Sequence, residues 1–235
     1  MRHDMTKPPS SRSQRPSGAQ TRSQAADPAA AARKVARTAA QEVRILGGQW
    51  KRTPLHVPVS AGLRPTPSRV RETLFNWLGQ DLAGWRVLDA FAGSGALGLE
   101  AASRGADDVC LLERDPALVR ALQAALVRLK ASQVQVQQAD ALHWMAQAQR
   151  AGRFDLVFLD PPFDADVFAP ALALAARCVP VGGWIYLEAD RAFADDEPAV
   201  QRAGLRQHRH GQAGAVHFHL FQRVADAAFA DASAA

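Results

Sequence analysis

From Trp85 onward the sequence alternates short apolar segments with longer amphipathic ones, and this alternation limits the possible folds more than any other feature. The apolar segments are typical of strands: WRVLDAF, DDVCLLE, QVQVQQ, FDLVFLD and WIYLEA. Helical periodicity is found between them, in GALGLEAASR, PALVRALQAALVRLK, ALHWMAQAQ and ADVFAPALALAARC. Repeated β-α units predict a parallel sheet with right-handed crossovers. The segments LRQHRHG and AVHFHLFQR flank Gly211 to Gly214 and predict an antiparallel hairpin at one edge.

The segments outside this alternation have a different composition. Residues 1–42 are poor in large apolar side chains and rich in Ser, Gln, Pro, Arg and Ala, which predicts a disordered basic tail. Residues 43–80 contain VRILGGQWKRTPLHVPV, which predicts a small hairpin around Gly47-Gly48, and a helix with Ser68 as its N-cap and Gly79 at its end. We predict that the body covers residues 81–224 and that residues 225–235 are a second disordered tail.

Charge and cysteine usage narrow the class of protein. Residues 1–52 carry eleven Lys or Arg against three acids, whereas the rest of the chain carries seventeen against twenty. A basic arm on a mildly acidic body suits a polyanion such as nucleic acid, or is a solvated tail that aids solubility. The chain has no apolar run of membrane-spanning length and no secretory signal pattern. Cys110 and Cys178 have no C-x-x-C spacing, and Cys110 lies in the apolar segment VCLL, which predicts two buried, reduced thiols in a cytoplasmic protein.

Acidic residues close four successive predicted strands. Asp89, Glu113 and Asp160 end their strands, and Asp140 follows the third. Ligands of open parallel sheets bind beyond the carboxyl ends of the strands, so these four acids are expected along one binding edge. Each one taken alone is equally well explained as a solvated loop acid or a helix N-cap.

The turn after the first strand of the body is rich in glycine. GSGALG, from Gly93 to Gly98, fits the pattern of a dinucleotide-binding turn, with Glu113 as the ribose-binding acid. S-Adenosylmethionine uses a similar turn, where small residues let backbone N–H groups approach its carboxylate. Asp89 would then face its ammonium group, Glu113 its ribose hydroxyls and Asp140 its adenine amine. We favour this cofactor because the chain shows no pair of groups suited to hydride transfer.

The segment DPPF, residues 160–163, follows the fourth strand of the body. Two prolines end a strand and fix the backbone, so the Pro161 carbonyl would be held in place before a substrate arrives. Asp160 and that carbonyl could accept the two N–H bonds of a planar amine, and Phe163 could stack on the base that carries it. The alternative is a strand-terminating turn with Phe163 in the core.

Together these motifs resemble a known family. LDAFAGSGALGLEAASRGA followed by LDPPF resembles the class I S-adenosylmethionine-dependent methyltransferases that act on exocyclic amines. RILGGQWKR, GLRPTPSRVRETLFNWL and GQAGAVHFHLFQR are similar to segments of the bacterial 16S rRNA guanine-N2 methyltransferase family. The resemblance covers residues 43–223 and leaves out the N-terminal tail.

The resemblance implies a doubly wound, Rossmann-like α/β fold with a mostly parallel seven-stranded sheet, one antiparallel strand and a small N-terminal β-hairpin. It implies a monomer whose partner is 16S rRNA, free or within an assembling small ribosomal subunit. The implied catalytic residues are Asp160, Pro161, Pro162 and Phe163. The implied cofactor-binding residues are Asp89, Phe91, Gly93, Ser94, Gly95, Glu113, Arg114, Asp140 and Ala141. Methylation of adenine N6 or of a protein glutamine, and a non-catalytic RNA-binding module, remain as alternatives.

The basic hairpin and the helix after it are the expected RNA side. A basic strip beside an aromatic ring suits phosphate contacts with a stacking platform, although Trp50 packed on the body is an equal alternative. The expected RNA- or substrate-facing residues are Arg44, Trp50, Lys51, Arg52, Arg64, Thr66 and Arg69. Two His-x-His pairs lie near the C-terminus, and we expect exposed or RNA-facing histidines there, without a metal, because no acid or cysteine has matching spacing: His208, His210, His217 and His219.

Overall fold

A computed structural model of the chain describes residues 43–56, 66–162 and 166–224. The predicted tails, 1–42 and 225–235, lie outside these ranges, as do Arg64 and Phe163. Within the described ranges, no helix is long and apolar enough to cross a membrane.

Seven strands form the main sheet, in the order β5-β4-β3-β6-β7-β9-β8. Five of them run parallel: β3 (Arg86–Asp89), β4 (Asp108–Glu113), β5 (Val134–Gln138), β6 (Leu156–Leu159) and β7 (Trp184–Ala189). The terminal hairpin adds β8 (Leu205–Ala213) and β9 (Val216–Arg223). β9 pairs antiparallel with both β7 and β8, so it alone runs against the other six strands of this sheet. The predicted mostly parallel sheet with one antiparallel strand is confirmed.

Helices cover both faces of the sheet: α1 (Ser68–Leu78), α2 (Gly98–Ser103), α3 (Pro116–Leu129), α4 (Ala141–Met145), α5 (Phe168–Cys178) and α6 (Pro198–Arg202). A 3-10 turn, Ala148–Arg150, follows α4. One apolar cluster packs α1, α2 and α3 on one face, and a second packs α4, α5 and α6 on the other. Burial on both faces explains why β6 is apolar along its whole length and why β4 is apolar between its terminal acids, Asp108 and Glu113. Cys110 and Cys178 are buried free thiols, as predicted.

Helix α3 shows how local sequence sets an element's ends. Asp115 caps its start by accepting a hydrogen bond from the Ala117 N–H, and Pro116 occupies the first turn. Helix α1 differs from the prediction by one position: Pro67 is the N-cap residue and Ser68 is already helical, with no side-chain cap. The proline at position 67 explains the shift, because its fixed φ suits the residue that precedes a helix.

The predicted N-terminal hairpin is present as β1 (Val43–Arg44) and β2 (Pro54–Leu55), which pair antiparallel around the Gly47-Gly48 turn. It is attached to α2 by Glu100, a fully buried residue. The Glu100 carboxylate accepts hydrogen bonds from the Leu46 N–H at 2.7 Å and the Gly47 N–H at 2.8 Å. It also pairs with Arg104 at 2.7 Å and with buried Arg71 at 3.6 Å. The hairpin is therefore fixed to the helix that follows the glycine turn.

Candidate active site

The glycine turn and the diproline corner lie side by side. They follow β3 and β6, which are neighbours in the sheet, and the Ala90 N–H donates to the Phe158 carbonyl at 3.1 Å. The chain order of the strands reverses between β3 and β6, and the crevice at such a switch point is where open α/β sheets bind ligands. The two segments that the sequence singled out therefore share one crevice.

Asp89 ends β3 beneath this turn, with 1% of its surface exposed. Its carboxylate accepts a hydrogen bond from the Gly98 N–H at 2.9 Å. Burial raises the pKa of Asp89 to about 7, and the charges of Glu113 and Glu188 add to the rise. A cationic group placed beside Asp89 would offset this cost, so the carboxyl suits the ammonium group that we assigned to it.

Glycine is needed within the turn for two separate reasons. Gly95 has a φ of +77°, a left-handed conformation that side chains with a Cβ rarely adopt. Gly98 brings α2 close to the sheet, because an added Cβ would lie 2.2 Å from a Leu111 methyl group. Ser94, between the turn glycines, is half-buried.

Glu113, at the end of the neighbouring strand β4, is hydrogen-bonded to the glycine turn. Its carboxylate accepts hydrogen bonds from the Gly93 N–H at 2.9 Å and the Asp115 N–H at 2.8 Å. A carboxylate can accept about four hydrogen bonds, so two of its acceptor positions are left over for other donors such as ribose hydroxyls.

The other predicted cofactor residues occupy the same end of the sheet. Asp140 is exposed and caps α4 by accepting from the His143 N–H at 2.9 Å. Asp140 is thus a helix N-cap, which was one of the alternatives that the sequence left open. Its contact with the adenine amine stays a prediction. Ala141 is buried and begins α4, Arg114 is exposed after β4, and Phe91 is half-buried against the second apolar cluster.

Asp160 is part of a cluster that the sequence analysis did not predict. The buried Thr66 lowers the pKa of both the half-buried Asp160 and Glu188, of which 3% is exposed, so these side chains lie near one another. Glu188 also accepts a hydrogen bond from the buried Tyr186 hydroxyl at 2.9 Å. Burial raises the pKa of Asp160 well above its ordinary value, and the charges of Glu188 and Asp89 add to this. Burial also raises the pKa of Glu188, against the opposing effects of Thr66, Tyr186 and Arg71.

Pro161 is buried and Pro162 is exposed, directly after Asp160. Glu188 has the same sequence signal as the four predicted acids, because WIYLEA is an apolar strand that carries an acid near its carboxyl end. Tyr186 and Arg71 gave no such signal. Burial lowers the pKa of Arg71, although Glu100 opposes that shift.

Comparison with known proteins agrees with this geometry. The profile of the family described as conserved hypothetical protein 95 matches residues 43–222. Ribosomal RNA small subunit methyltransferase D of Escherichia coli K12 is 41% identical over 190 residues, which cover 78% of this chain and 91% of that protein. The chain belongs to the ribosomal RNA small subunit methyltransferase D family.

Two further family comparisons cover nearly the whole of the other protein. The Haemophilus influenzae member is 38% identical over 185 residues, which cover 77% of this chain and 94% of that protein. A solved Escherichia coli structure, described as a proposed methyltransferase, has a TM-score of 0.69 and 40% identity, and the match covers 79% of this chain and 99% of that one. The doubly wound fold implied by the resemblance is therefore confirmed.

The structure of this family member places the predicted RNA residues on the hairpin and at the start of α1. Arg44, Lys51 and Arg52 are exposed, and the Arg44 guanidinium donates to the Arg52 carbonyl at 3.1 Å. Trp50 is half-buried and packs against the first apolar cluster, as the alternative reading had it. Arg69 is exposed in the first turn of α1.

The expectation for the histidines is wrong for His219. It is fully buried, its Nε2 accepts from the Phe193 N–H at 3.0 Å, and burial lowers its pKa to about 4. Its position on β9, between β7 and β8 under Phe193, explains the burial. His208 and His210 are exposed on β8, and the ring nitrogens of His210 and His217 lie 3.1 Å apart. Among the described residues no group of three or more ligand-type side chains forms a metal site.

Proposed function

We propose that this protein is an S-adenosylmethionine-dependent methyltransferase that modifies the exocyclic N2 of a guanine in 16S rRNA. The observation that carries the proposal is the shared crevice, where a glycine turn held by Asp89 and Glu113 adjoins the Asp160-Pro161-Pro162 corner. The family supports the rRNA substrate, because its members are named for small-subunit rRNA methylation. A cytoplasmic location follows from a ribosomal substrate.

The residues around the glycine turn fit the cofactor. Asp89 offers a buried carboxyl for an ammonium group, Glu113 has acceptor positions left for ribose hydroxyls, and Gly95 keeps the turn free of side-chain bulk. When bound, S-adenosylmethionine supplies an electrophilic methyl group on a sulfonium centre. Phe91, Ser94, Arg114, Asp140 and Ala141 line the same end of the sheet and complete the proposed cofactor site.

The diproline corner acts on the amine. The lone pair of guanine N2 is delocalised into the ring, so the site must orient its N–H bonds and turn that lone pair towards the methyl group. A side-chain oxygen of Asp160 accepts one N–H and the Pro161 carbonyl accepts the other. Because the prolines fix that carbonyl in advance, little reorganisation is needed during the reaction. Most of the rate acceleration then comes from the alignment of N2, the methyl group and the sulfur in a line.

Two parts of the proposed site lie outside the described residues. Phe163 is proposed to stack on the target base, which is worth about 1–3 kcal/mol for such contacts. Arg64 is proposed to face the substrate beside Thr66. On the RNA side, Arg44, Lys51 and Arg52 contact phosphates, with Trp50 and Arg69 nearby.

The central test is Asp160→Ala. We expect single-turnover methyl transfer to be abolished, while calorimetry shows nearly unchanged cofactor affinity, because Asp160 faces the amine rather than the turn. Asp196→Ala, an exposed acid before α6, is the matched control and should transfer methyl groups at the wild-type rate. A near-normal rate in Asp160→Ala would rule out its role.

The substrate is tested with 16S rRNA from a strain that lacks the gene. Primer extension should show one methylated guanine appearing after the protein is added. Running the reaction on free 16S rRNA and on isolated small subunits tests which of the two is the substrate. Methylation of an adenine instead would overturn the guanine assignment.

A further inference from the structure

The N-terminal hairpin and helix α3 share a surface that carries cations and no acids. The hairpin covers residues 43–56, and α3 with its C-cap residue covers residues 116–130. Neither range contains an Asp or a Glu, although the chain from residue 53 onward has more acids than cations. The exposed cations of this basic surface are Arg44, Lys51, Arg52, Arg120, Arg128 and Lys130.

A direct contact joins the two parts of the basic surface. The Arg128 guanidinium donates a hydrogen bond to the Pro54 carbonyl of β2 at 2.6 Å. The inner side of α3 packs against the glycine turn, because a Cβ added at Gly95 would lie 2.6 Å from a Leu122 methyl group. The basic surface therefore continues from the hairpin onto the helix that covers the glycine turn.

The cations of α3 lie on its exposed side. Arg120, Ala124 and Arg128 follow one another at intervals of four residues, which places them on one face of the helix. The distance from Arg120 to Arg128 along the helix axis is about 12 Å. Among the residues that the structure describes, Arg120, Arg128 and Lys130 form no ion pair. Their charges are therefore available to an anion outside the chain.

The electrostatics of an isolated helix do not explain this set of cations. The helix macrodipole favours cations in the last turn, which accounts for Arg128 and Lys130 only. Arg120 is the fifth residue of α3, where the dipole gives a cation no advantage. Pairing within the helix does not explain it either, because no acid lies three or four residues from any of the three cations.

Resting on the proposed function, we propose that the exposed face of α3 binds the sugar-phosphate backbone of 16S rRNA, as a continuation of the RNA side of the hairpin. The charge of the surface favours a polyanion, and its continuity with the hairpin favours the RNA that the hairpin binds. Arg128 is already held by the Pro54 carbonyl, so ordering its side chain costs little on binding. Its remaining N–H groups can donate to a phosphate.

The first measurement is filter binding of the full chain to free 16S rRNA at several salt concentrations. Arg120→Gln with Lys130→Gln removes two charges that form no ion pair in the described part of the chain. Each lost phosphate contact lowers the salt slope by about 0.7–0.9, so we expect a slope lower by about 1.5 and binding about 10- to 50-fold weaker at about 0.1 M salt. Cofactor affinity without RNA should stay near that of wild type.

The matched control is Arg202→Gln with Arg206→Gln, which also removes two exposed cations, from α6 and β8. This control should keep the salt slope of wild type, because it lies outside the basic surface. At position 128 the charge can be separated from the side-chain length. Arg128→Lys should keep most of the salt slope, whereas Arg128→Gln should lower it by about 0.7–0.9.

The outcomes separate this inference from the proposed function. A wild-type slope in Arg120→Gln with Lys130→Gln, or an equal decrease in the control, overturns the inference even if the enzyme methylates rRNA. Weaker binding to isolated small subunits with unchanged binding to free 16S rRNA would assign the surface to a ribosomal protein and would also overturn it. If wild type methylates no guanine but the slope difference is found, the proposed function fails and RNA binding by α3 stands.

Discussion

Glu100 is the residue whose removal should do most damage to the hairpin. Its fully buried carboxylate accepts from two hairpin N–H groups, those of Leu46 and Gly47, and faces the guanidinium groups of Arg71 and Arg104. Glu100→Ala leaves Arg71, 2% exposed, without its nearest counter-charge. Breaking a buried pair in this way costs about 3–5 kcal/mol.

The two hairpin N–H groups add to that cost. Each buried donor left without an acceptor costs about 1–3 kcal/mol, and the terms are not additive because the hairpin can detach and reach water. We therefore expect a total loss near 5 kcal/mol, on the scale of the whole stability of a typical domain. Ser103→Ala is the control, for which we expect a smaller loss of stability. It removes a hydroxyl that donates to the Gly47 carbonyl and accepts from the Trp50 N–H, for about 1 kcal/mol.

Urea denaturation of the full chain measures the loss of unfolding free energy, and hydrogen exchange shows which part of the chain is destabilised. The Leu46 and Gly47 amides should lose protection in Glu100→Ala at urea concentrations where the sheet is still protected. A destabilisation below about 1 kcal/mol, or unchanged exchange at these two amides, would refute the reasoning from buried charge.

The remaining predictions concern the turn, the RNA side and the hairpin glycine. Folding raises the pKa of Asp89 from 3.8 to about 7, so the stability of wild type should fall by about 4 kcal/mol in total as pH rises between these values. The Asp89→Asn variant should lack this fall, as measured by urea denaturation at several pH values. Lys51→Ala with Arg52→Ala should weaken RNA binding and lower the salt slope by up to about 2, measured by filter binding at several salt concentrations. Gly48→Ala should cost about 3 kcal/mol or more in thermal or urea unfolding, because the residue has a φ of +72° and the new Cβ would lie 1.7 Å from a backbone oxygen.

Each of these has a control or a contrary result. Equal pH slopes in Asp89→Asn and wild type would show that Asp89 is ionised throughout. Arg206→Ala removes an exposed cation from β8 and should leave the salt slope of RNA binding nearly unchanged; an equal change there would mean that the hairpin cations have no special role. Wild-type stability of Gly48→Ala would mean that the turn does not pack against α2.

Local sequence was enough to predict most elements and several site residues. The alternation of apolar and amphipathic segments predicted the parallel sheet, and the short terminal segments predicted its antiparallel edge, because side-chain periodicity and turn residues act over a few neighbouring positions. The acids at strand ends were found for the same reason. Asp115 and Pro116 set the start of α3 without help from distant residues.

Contacts between distant segments were decided only by the tertiary structure. Nothing near His219 in sequence indicates that β7 and β8 enclose it, and nothing near Glu100 indicates that it receives two hairpin N–H groups. Thr66 and Glu188 both influence the pKa of Asp160, although they lie far from it in sequence. Sequence by itself determined which strands end in acids. The order of those strands in the sheet determined which acids raise the pKa of one another, because the electrostatic interaction depends on spatial distance and not on separation along the chain.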